Sequence, residues 1–282
     1  MIKTITGQTT EYKSYTTTLD GITDIDINLK EKRLEIYSVP GDEIVIDYPY
    51  YSDEKYDFNI ISGRLTLNYS TSRRWYSNFV NGIFSQLRDS TVRIGIPESY
   101  TNSLNTITSN SKISLDGITL LDSVKLQTTN STIEVTGLNA KELSLSSSNG
   151  SIKSAATKVE GRFEARTTNA SITLDGVTSA YGSFTTSNSS LRLENADIYE
   201  LYATTSNGAV RLSSINTTKA SFKTTNASIT GSILGEQKDF SLALSTTNAS
   251  VNPTPVLNAN AKKSITATTT NGRINIEFES II

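Results

Sequence analysis

The chain has 282 residues, enough for one elongated domain or two ordinary ones, and its 36% of apolar residues suffice for a core if their pattern is regular. Its net charge of -2, with acids and bases interspersed, excludes a field of one sign that would attract nucleic acid or an anionic membrane surface. The absence of cysteine and histidine excludes disulfides, thiolate metal sites and the usual general base near neutral pH.

The N-terminal stretch, "MIKTITGQTTEYKSYTTTLDG", is polar and has no apolar region typical of a signal peptide. No run approaches the roughly 18 apolar residues of a membrane span. We therefore expect one of two locations. The protein is soluble where it is made and cytoplasmic, or the sequence is an ectodomain trimmed of its export segment and is extracytoplasmic or at the cell surface.

Residues 1–103 contain short stretches in which apolar and polar residues alternate, including "RLEIYSV", "EIVIDY", "RLTLNY" and "TVRIGIP". This alternation is typical of half-buried β-strands joined by tight turns. Because the end of a repeated β structure exposes unpaired strand edges, it needs a cap. The sequence predicts an irregular β region over 1–103 that supplies one.

Residues 72–90, "SRRWYSNFVNGIFSQLRDS", break the strand pattern, since aromatic and aliphatic residues recur every four positions, as on an amphipathic helix. Two interpretations are open. The segment plugs the end of the β structure, or it docks a partner or lipid headgroups, because Trp, Tyr and Arg dominate binding hot spots. The candidate partner-binding residues are Arg73, Arg74, Trp75, Tyr76 and Phe79, together with Tyr50 and Tyr51 from the tyrosine-rich stretch at 47–56.

From residue 104 to 282, one phrase of the type "TTNASITL" recurs nine times at intervals of 19 to 23 residues. Internal repeats of this period are typical of solenoids. The repeated asparagines are Asn110, Asn130, Asn149, Asn169, Asn188, Asn207, Asn226, Asn248 and Asn271.

Apolar residues recur three and five positions after the Asn, and six and four positions before it, although Gly231 and Pro253 replace the apolar residue at the fifth position after the Asn in two repeats. A further apolar residue recurs eight positions after it, as in Ile118, Leu138 and Val256. A 19-residue unit rich in Ser, Thr, Val and Ile is too short for two helices. The sequence thus predicts an all-β, single-chain β-solenoid of about nine regular rungs, where a rung is one turn of the coil. We expect the two lengthened last units to bulge outward.

The Asn residues, stacked at one corner of successive rungs, are expected to form a hydrogen-bonded ladder. The period-2 pattern places the Asn and the Ser/Thr two positions before it on the inner face, and the Ser/Thr one position before it on the outer face. The residue after the Asn is always Gly, Ala or Ser, which indicates a corner with little room for a side chain.

No metal or cofactor motif is present, so we expect neither group to be bound. A carbohydrate-active enzyme on such a scaffold would need paired carboxylates in a cleft. Asp116 and Asp175 each precede a glycine and are better explained as turn residues. The sequence favours a protein without catalytic activity.

The repeats, the strands "GDEIVIDY" (41–48) and "GRLTLNY" (63–69), and the "VRIGIP" entry at 92–97 resemble the bacterial DUF4097 family, whose members carry the label "putative adhesin". The resemblance implies a β-solenoid tethered to the cell envelope. It suggests a non-catalytic surface-binding protein with a protein or glycan ligand that the sequence does not identify. The alternatives are a regulatory scaffold in envelope stress and a carbohydrate-active enzyme.

Overall fold

The computed structural model describes residues 2–5, 8–72, 90–119 and 121–280, with side chains from residue 10 onward. Within these ranges the fold is all-β, and the helical content is one 3-10 turn at Gln237–Asp239. The predicted segment 72–90 falls almost entirely on residues 73–89, outside the described residues.

The strands follow one another along the chain with short turns between them. In chain order they are β1 (Ile2–Ile5), β2 (Gln8–Thr18), β3 (Asp24–Asn28), β4 (Arg33–Val39), β5 (Glu43–Pro49), β6 (Glu54–Ile61), β7 (Arg64–Thr71), β8 (Thr91–Pro97), β9 (Ser103–Ile107), β10 (Ile113–Asp116), β11 (Leu121–Gln127), β12 (Ile133–Thr136), β13 (Asn139–Ser146), β14 (Ile152–Arg166), β15 (Ile172–Thr185), β16 (Leu191–Glu194), β17 (Asp197–Thr204), β18 (Val210–Ile215), β19 (Lys219–Lys223), β20 (Ile229–Leu234), β21 (Phe240–Thr246), β22 (Val251–Asn252), β23 (Lys263–Thr269) and β24 (Ile274–Glu279).

The chain coils as a β-solenoid with two main faces, and each rung contributes one strand to each face. Strands that follow an Asn form the first face, where β10, β12, β14, β15, β16, β18 and β20 pair in parallel in that order. Strands that precede an Asn form the second face, from β9 through β11, β13, β14, β15 and β17 to β19. The long strands β14 and β15 bend and take part in both faces.

The core lies between the two faces and matches the predicted inner positions. The apolar residues at three and five positions after the Asn, and at six and four before it, are buried, except Val251 in the outermost rung, which is half-buried. Each such side chain contributes roughly 1.5–3 kcal/mol when fully buried. At eight positions after the Asn, Ile118 and Leu138 are buried, but Val256 is 51% exposed, so its predicted core position is wrong.

The last two repeats stack in the reverse of their chain order. Strands β24 and β23, from the final repeat, pair directly with β20 and β19. Strands β22 and β21, which come earlier in the chain, lie outside them at the end of the stack. The final repeat is therefore inserted between two rungs that precede it in sequence.

The loop between these two repeats lies outside the core and folds back against β21. The backbone N–H of Leu242 donates to the carbonyl of Val256 at 2.7 Å, and the N–H of Asn258 donates to Ser241 Oγ at 3.2 Å. The loop thus lies along the open edge of β21, which explains why Val256 is outside the core. Covering an edge strand in this way limits pairing with another chain.

The N-terminal region ends the stack with antiparallel strands. On the first face β8 pairs in parallel with β4, and β5 and β2 follow in antiparallel order. On the second face β7 pairs in parallel with β3, and β6 follows in antiparallel order. Because β3 and β4 also pair with β9 and β10, the sheets continue across the predicted domain boundary at 103/104. That boundary marks a change of repeat sequence within one continuous stack.

Candidate binding surfaces

The corner of each repeat is held by a buried hydroxyl two positions before the Asn. Thr167 is 1% exposed, and its Oγ1 donates to the carbonyl of Gly150 in the preceding rung at 3.0 Å. The equivalent bonds from Thr186 and Thr205 measure 2.8 and 2.9 Å. The predicted inward orientation of this Ser/Thr is confirmed.

The nine Asn side chains form a ladder on the outside of this corner. Eight bonds join them, in each of which an Nδ2 donates to the Oδ1 of the neighbouring Asn at 2.6 to 2.9 Å, and all nine residues are exposed. In stack order the ladder runs Asn110, Asn130, Asn149, Asn169, Asn188, Asn207, Asn226, Asn271 and Asn248.

The predicted inward orientation of the Asn is wrong, because the period-2 alternation stops at the turn. The N–H groups of Thr129 and Asn130 both donate to the carbonyl of Ser109, at 3.1 and 2.8 Å. Two consecutive donors that point to one acceptor are incompatible with extended backbone, so the chain turns here and the Asn faces solvent.

The tyrosine-rich stretch at 47–56 contributes to an aromatic cluster between the two faces at the N-terminal end. Tyr15 stacks on Phe58 with ring centroids 4.2 Å apart, and Tyr48 lies 4.6 Å from Tyr56. Tyr56 lies 5.3 Å from Tyr69. Burial raises the pKa of the Tyr56 and Tyr69 hydroxyls above the ordinary value. These rings close the end of the core.

A buried ion pair lies beside this cluster. Lys32 Nζ is 2.5 Å from Glu54 Oε2, and the two side chains are 4% and 7% exposed. The ammonium also lies 4.9 Å from the ring centroid of Tyr69, within the range of a cation–π contact. The pair ties the turn between β3 and β4 to the first residue of β6.

The predicted docking residues are placed only in part. Tyr50 is 42% exposed, and Lys13 Nζ lies 3.4 Å above its ring. Tyr51 is half-buried, with its hydroxyl 3.1 Å from Thr10 Oγ1. The other five candidates, Arg73, Arg74, Trp75, Tyr76 and Phe79, lie outside the described residues, so their docking role stays a prediction.

Several charged side chains on the outer faces form ion pairs with neighbours on the same or the adjacent rung. Glu134 contacts Lys112 on one side and lies 3.3 Å from Lys153 on the other. Both ammonium groups lower the pKa of its carboxyl, with the hydrogen bond from Lys112 as the largest cause. A groove of about 400 Å³ at the edge between the faces is likewise bordered by an ion pair, Asp122 with Lys141 at 2.6 Å.

A row of aromatic and cationic side chains on the outside of the second face was missed by the sequence analysis. The ring centroids of Tyr181 and Tyr202 are 5.3 Å apart, and Arg162 Cζ lies 4.3 Å from the Tyr181 centroid. The three residues belong to three successive neighbouring strands, β14, β15 and β17. Their positions in the sequence could have revealed them, because Arg162 and Tyr181 lie seven residues before an Asn and Tyr202 lies five residues before one. These odd offsets place the side chains on the outer face.

Within the described ranges, no three or more His, Cys, Asp or Glu side chains are grouped so as to hold a metal ion. A membrane-spanning helix is likewise not found among these residues. Asp175, a candidate carboxylate in the sequence, precedes Gly176 with φ 60° and accepts a bond from Asn195 at 2.8 Å. This geometry fits a turn residue.

Solved structures with similar folds include a "putative adhesin" from Parabacteroides merdae, with 9% identity and a TM-score of 0.46, covering 96% of this chain and 97% of that one. A "putative adhesin" from Bacteroides fragilis has 12% identity, a TM-score of 0.43 and coverages of 95% and 97%. A search of curated proteins finds no match. The family model described as Toastrack DUF4097 matches residues 22–277. The chain therefore belongs to the DUF4097 family.

Proposed function

We propose that this protein is a non-catalytic binding protein of the bacterial cell surface or envelope, in which a rigid β-solenoid presents flat outer faces to an extended partner. The observation that carries the proposal is the pairing of outer carboxylates with Lys or Arg. It makes these faces suitable for contact and unsuitable for acid–base chemistry.

The pairing argues against a glycoside hydrolase. Such enzymes need one carboxylic acid with a raised pKa that stays protonated beside a second, ionised carboxylate. At Glu134 the nearby ammonium groups favour the ionised form instead. Glu134 has a lowered pKa, and Glu194 and Glu200 lie 2.9 and 3.5 Å from Arg192 and Lys219.

Rigidity supports a binding role. Each rung is fixed to the next by main-chain pairing, by the buried Thr hydroxyl and by the Asn ladder. A preorganised surface loses little conformational entropy when it contacts a partner. The flat faces, with rows of hydroxyl and amide groups, fit an extended polymer better than a small metabolite. The extracytoplasmic location follows the expectation from the family.

The proposal is tested with fluorescently labelled protein titrated over intact bacterial cells and isolated cell envelopes. We expect saturable binding that excess unlabelled protein competes away. Release of reducing ends from the same envelopes is measured in parallel and should stay at the background level. Non-saturable binding or steady release of reducing ends would contradict the proposal.

A further inference from the structure

The outer side of the second face carries an aromatic patch that the fold does not require. Tyr181 and Tyr202 point away from the core, which is filled at these rungs by Phe184 and Leu201. Across the sheet, Tyr202 is paired with Ser183 on one adjacent rung and with Ser221 on the other. Because serine occupies the same place in the same sheet, the Tyr202 ring is not needed for packing.

A third exposed tyrosine lies on the same strand as Tyr202. Tyr199 precedes Tyr202 by three residues on β17 and is 60% exposed. Large aromatic groups clustered on an outer surface mark binding sites, since tyrosine offers a broad apolar ring together with a polar hydroxyl. The patch therefore has the composition of a contact surface.

The charged side chains next to the two rings form two ion pairs and carry no net charge, whereas Arg166 and Lys223 lie farther along β14 and β19. Arg162 Nε donates to Glu164 Oε1 at 2.7 Å, and Lys219 Nζ lies 3.5 Å from Glu200 Oε1. The Tyr202 hydroxyl donates to Glu200 Oε2 at 3.3 Å. Two cations paired with two anions give no net attraction for a polyanion or a polycation. They do provide donors and acceptors for the hydroxyl groups of an uncharged ligand.

A ligand for this patch must have flat apolar faces for the rings and a rim of uncharged hydroxyl groups for the flanking side chains. Sugar rings combine these two properties. The tyrosines lie on neighbouring strands, which are about 4.8 Å apart, so they present two rings in sequence to one extended chain. We propose that Arg162, Tyr181 and Tyr202 form a binding site for a neutral polysaccharide. This site rests on the binding function proposed above.

The test uses titration calorimetry of the full chain with cellohexaose, xylohexaose and mannohexaose as neutral probes and polygalacturonate as an acidic one. We expect at least one neutral probe to bind and the acidic probe to bind more weakly. The double variant Tyr181→Ser/Tyr202→Ser should lose about tenfold or more in affinity, because two aromatic contacts are removed. Serine is the natural residue beside Tyr202, so the fold should persist, as checked by the melting temperature.

Two further variants sharpen the test. Tyr202→Phe keeps the ring and should retain most of the affinity. Leu257→Ser removes an exposed apolar side chain at the C-terminal end of the stack, away from the patch, and should leave the affinity unchanged. The proposal is overturned if no neutral probe binds, if polygalacturonate binds more tightly, or if the double variant binds like the native protein. Saturable binding to cells together with any of these results would leave the binding function standing and remove only this site.

Discussion

The middle of the solenoid and its N-terminal end have different residues at the corner. In the middle, the residue after the Asn is small. A Cβ on Gly150 would lie 1.5 Å from the carbonyl oxygen of Ser131 in the adjacent rung. In the rung formed by β3 and β4, the carbonyl of Lys30 accepts the N–H of Asn110, as that of Ser109 accepts the N–H of Asn130. Lys32 therefore occupies the place of Gly150, and it carries a long buried side chain.

This difference shows how a repeat ends. Between two equivalent rungs, the same corner sequence satisfies the hydrogen bonds of the backbone groups. The corner sequence therefore recurs from rung to rung with small changes. At the N-terminal end Glu31 stands where the repeats have Asn, and a buried ion pair and an aromatic cluster take over. At the C-terminal end a loop covers β21, and the last repeat lies inside the stack.

The largest expected effect comes from breaking the ion pair at the N-terminal end. Lys32→Met leaves the Glu54 carboxylate buried without its partner, which should lower the free energy of unfolding by about 3–5 kcal/mol. Urea denaturation followed by circular dichroism measures the loss. The double variant Lys32→Met/Glu54→Leu should recover most of it. A loss below about 1 kcal/mol in the single variant would show that the pair does not hold this end.

The next effect tests the corner in the middle. Gly150→Ala places a methyl group against the Ser131 carbonyl and should cost about 2–3 kcal/mol, because the backbone must shift. The matched control is Ala170→Gly at the same corner position of the next rung, which should cost about 1 kcal/mol or less. Equal losses for the two variants would contradict the close approach of the rungs at Gly150.

A smaller loss of stability is expected when one Asn of the ladder is removed, and the loss should depend on whether that Asn lies inside the ladder or at its end. Asn169→Ala removes two ladder bonds, to Asn149 and from Asn188, whereas Asn248→Ala removes only the bond to Asn271. Because these bonds are exposed, we expect losses of about 1 and about 0.5 kcal/mol. The difference in urea midpoint between the two variants measures the ladder directly. A larger loss at Asn248 would be inconsistent with its terminal place.

The smallest effect concerns pH. Lys112 and Lys153 lower the pKa of Glu134 below its ordinary value of 4.5, so the carboxylate contributes stability at neutral pH. That contribution is lost as the pH falls through the lowered pKa of the folded state. The double variant Lys112→Gln/Lys153→Gln should raise the pKa of Glu134 toward 4.5, as followed by NMR of its side-chain carboxyl. An unchanged pKa would show that the lysines do not act on it.

Much of the fold is predictable from the sequence, because the inner positions of each repeat follow a strict period of two and only a solenoid buries them all. The outward orientation of Asn169 was not predictable in this way, since the period of two stops where the chain turns. The reversed order of the last two repeats was not predictable either. Asn248 and Asn271 stand in nearly identical phrases, and the local sequence does not indicate the order in which the two repeats stack. The outward positions of Tyr181 and Tyr202 were predictable, since they follow from the same period of two.

The insertion of the last repeat into the stack can be tested directly by disulfide formation, because the chain has no cysteine of its own. Ser221 on β19 lies opposite Thr266 on β23, and Thr266 lies opposite Ala243 on β21. The double variant Ser221→Cys/Thr266→Cys should form a disulfide on mild oxidation, because paired residues on adjacent strands are within the required distance. Ser221→Cys/Ala243→Cys, whose strands are separated by β23, should stay reduced. A disulfide in the second variant and none in the first would show that the repeats stack in chain order and would contradict the account.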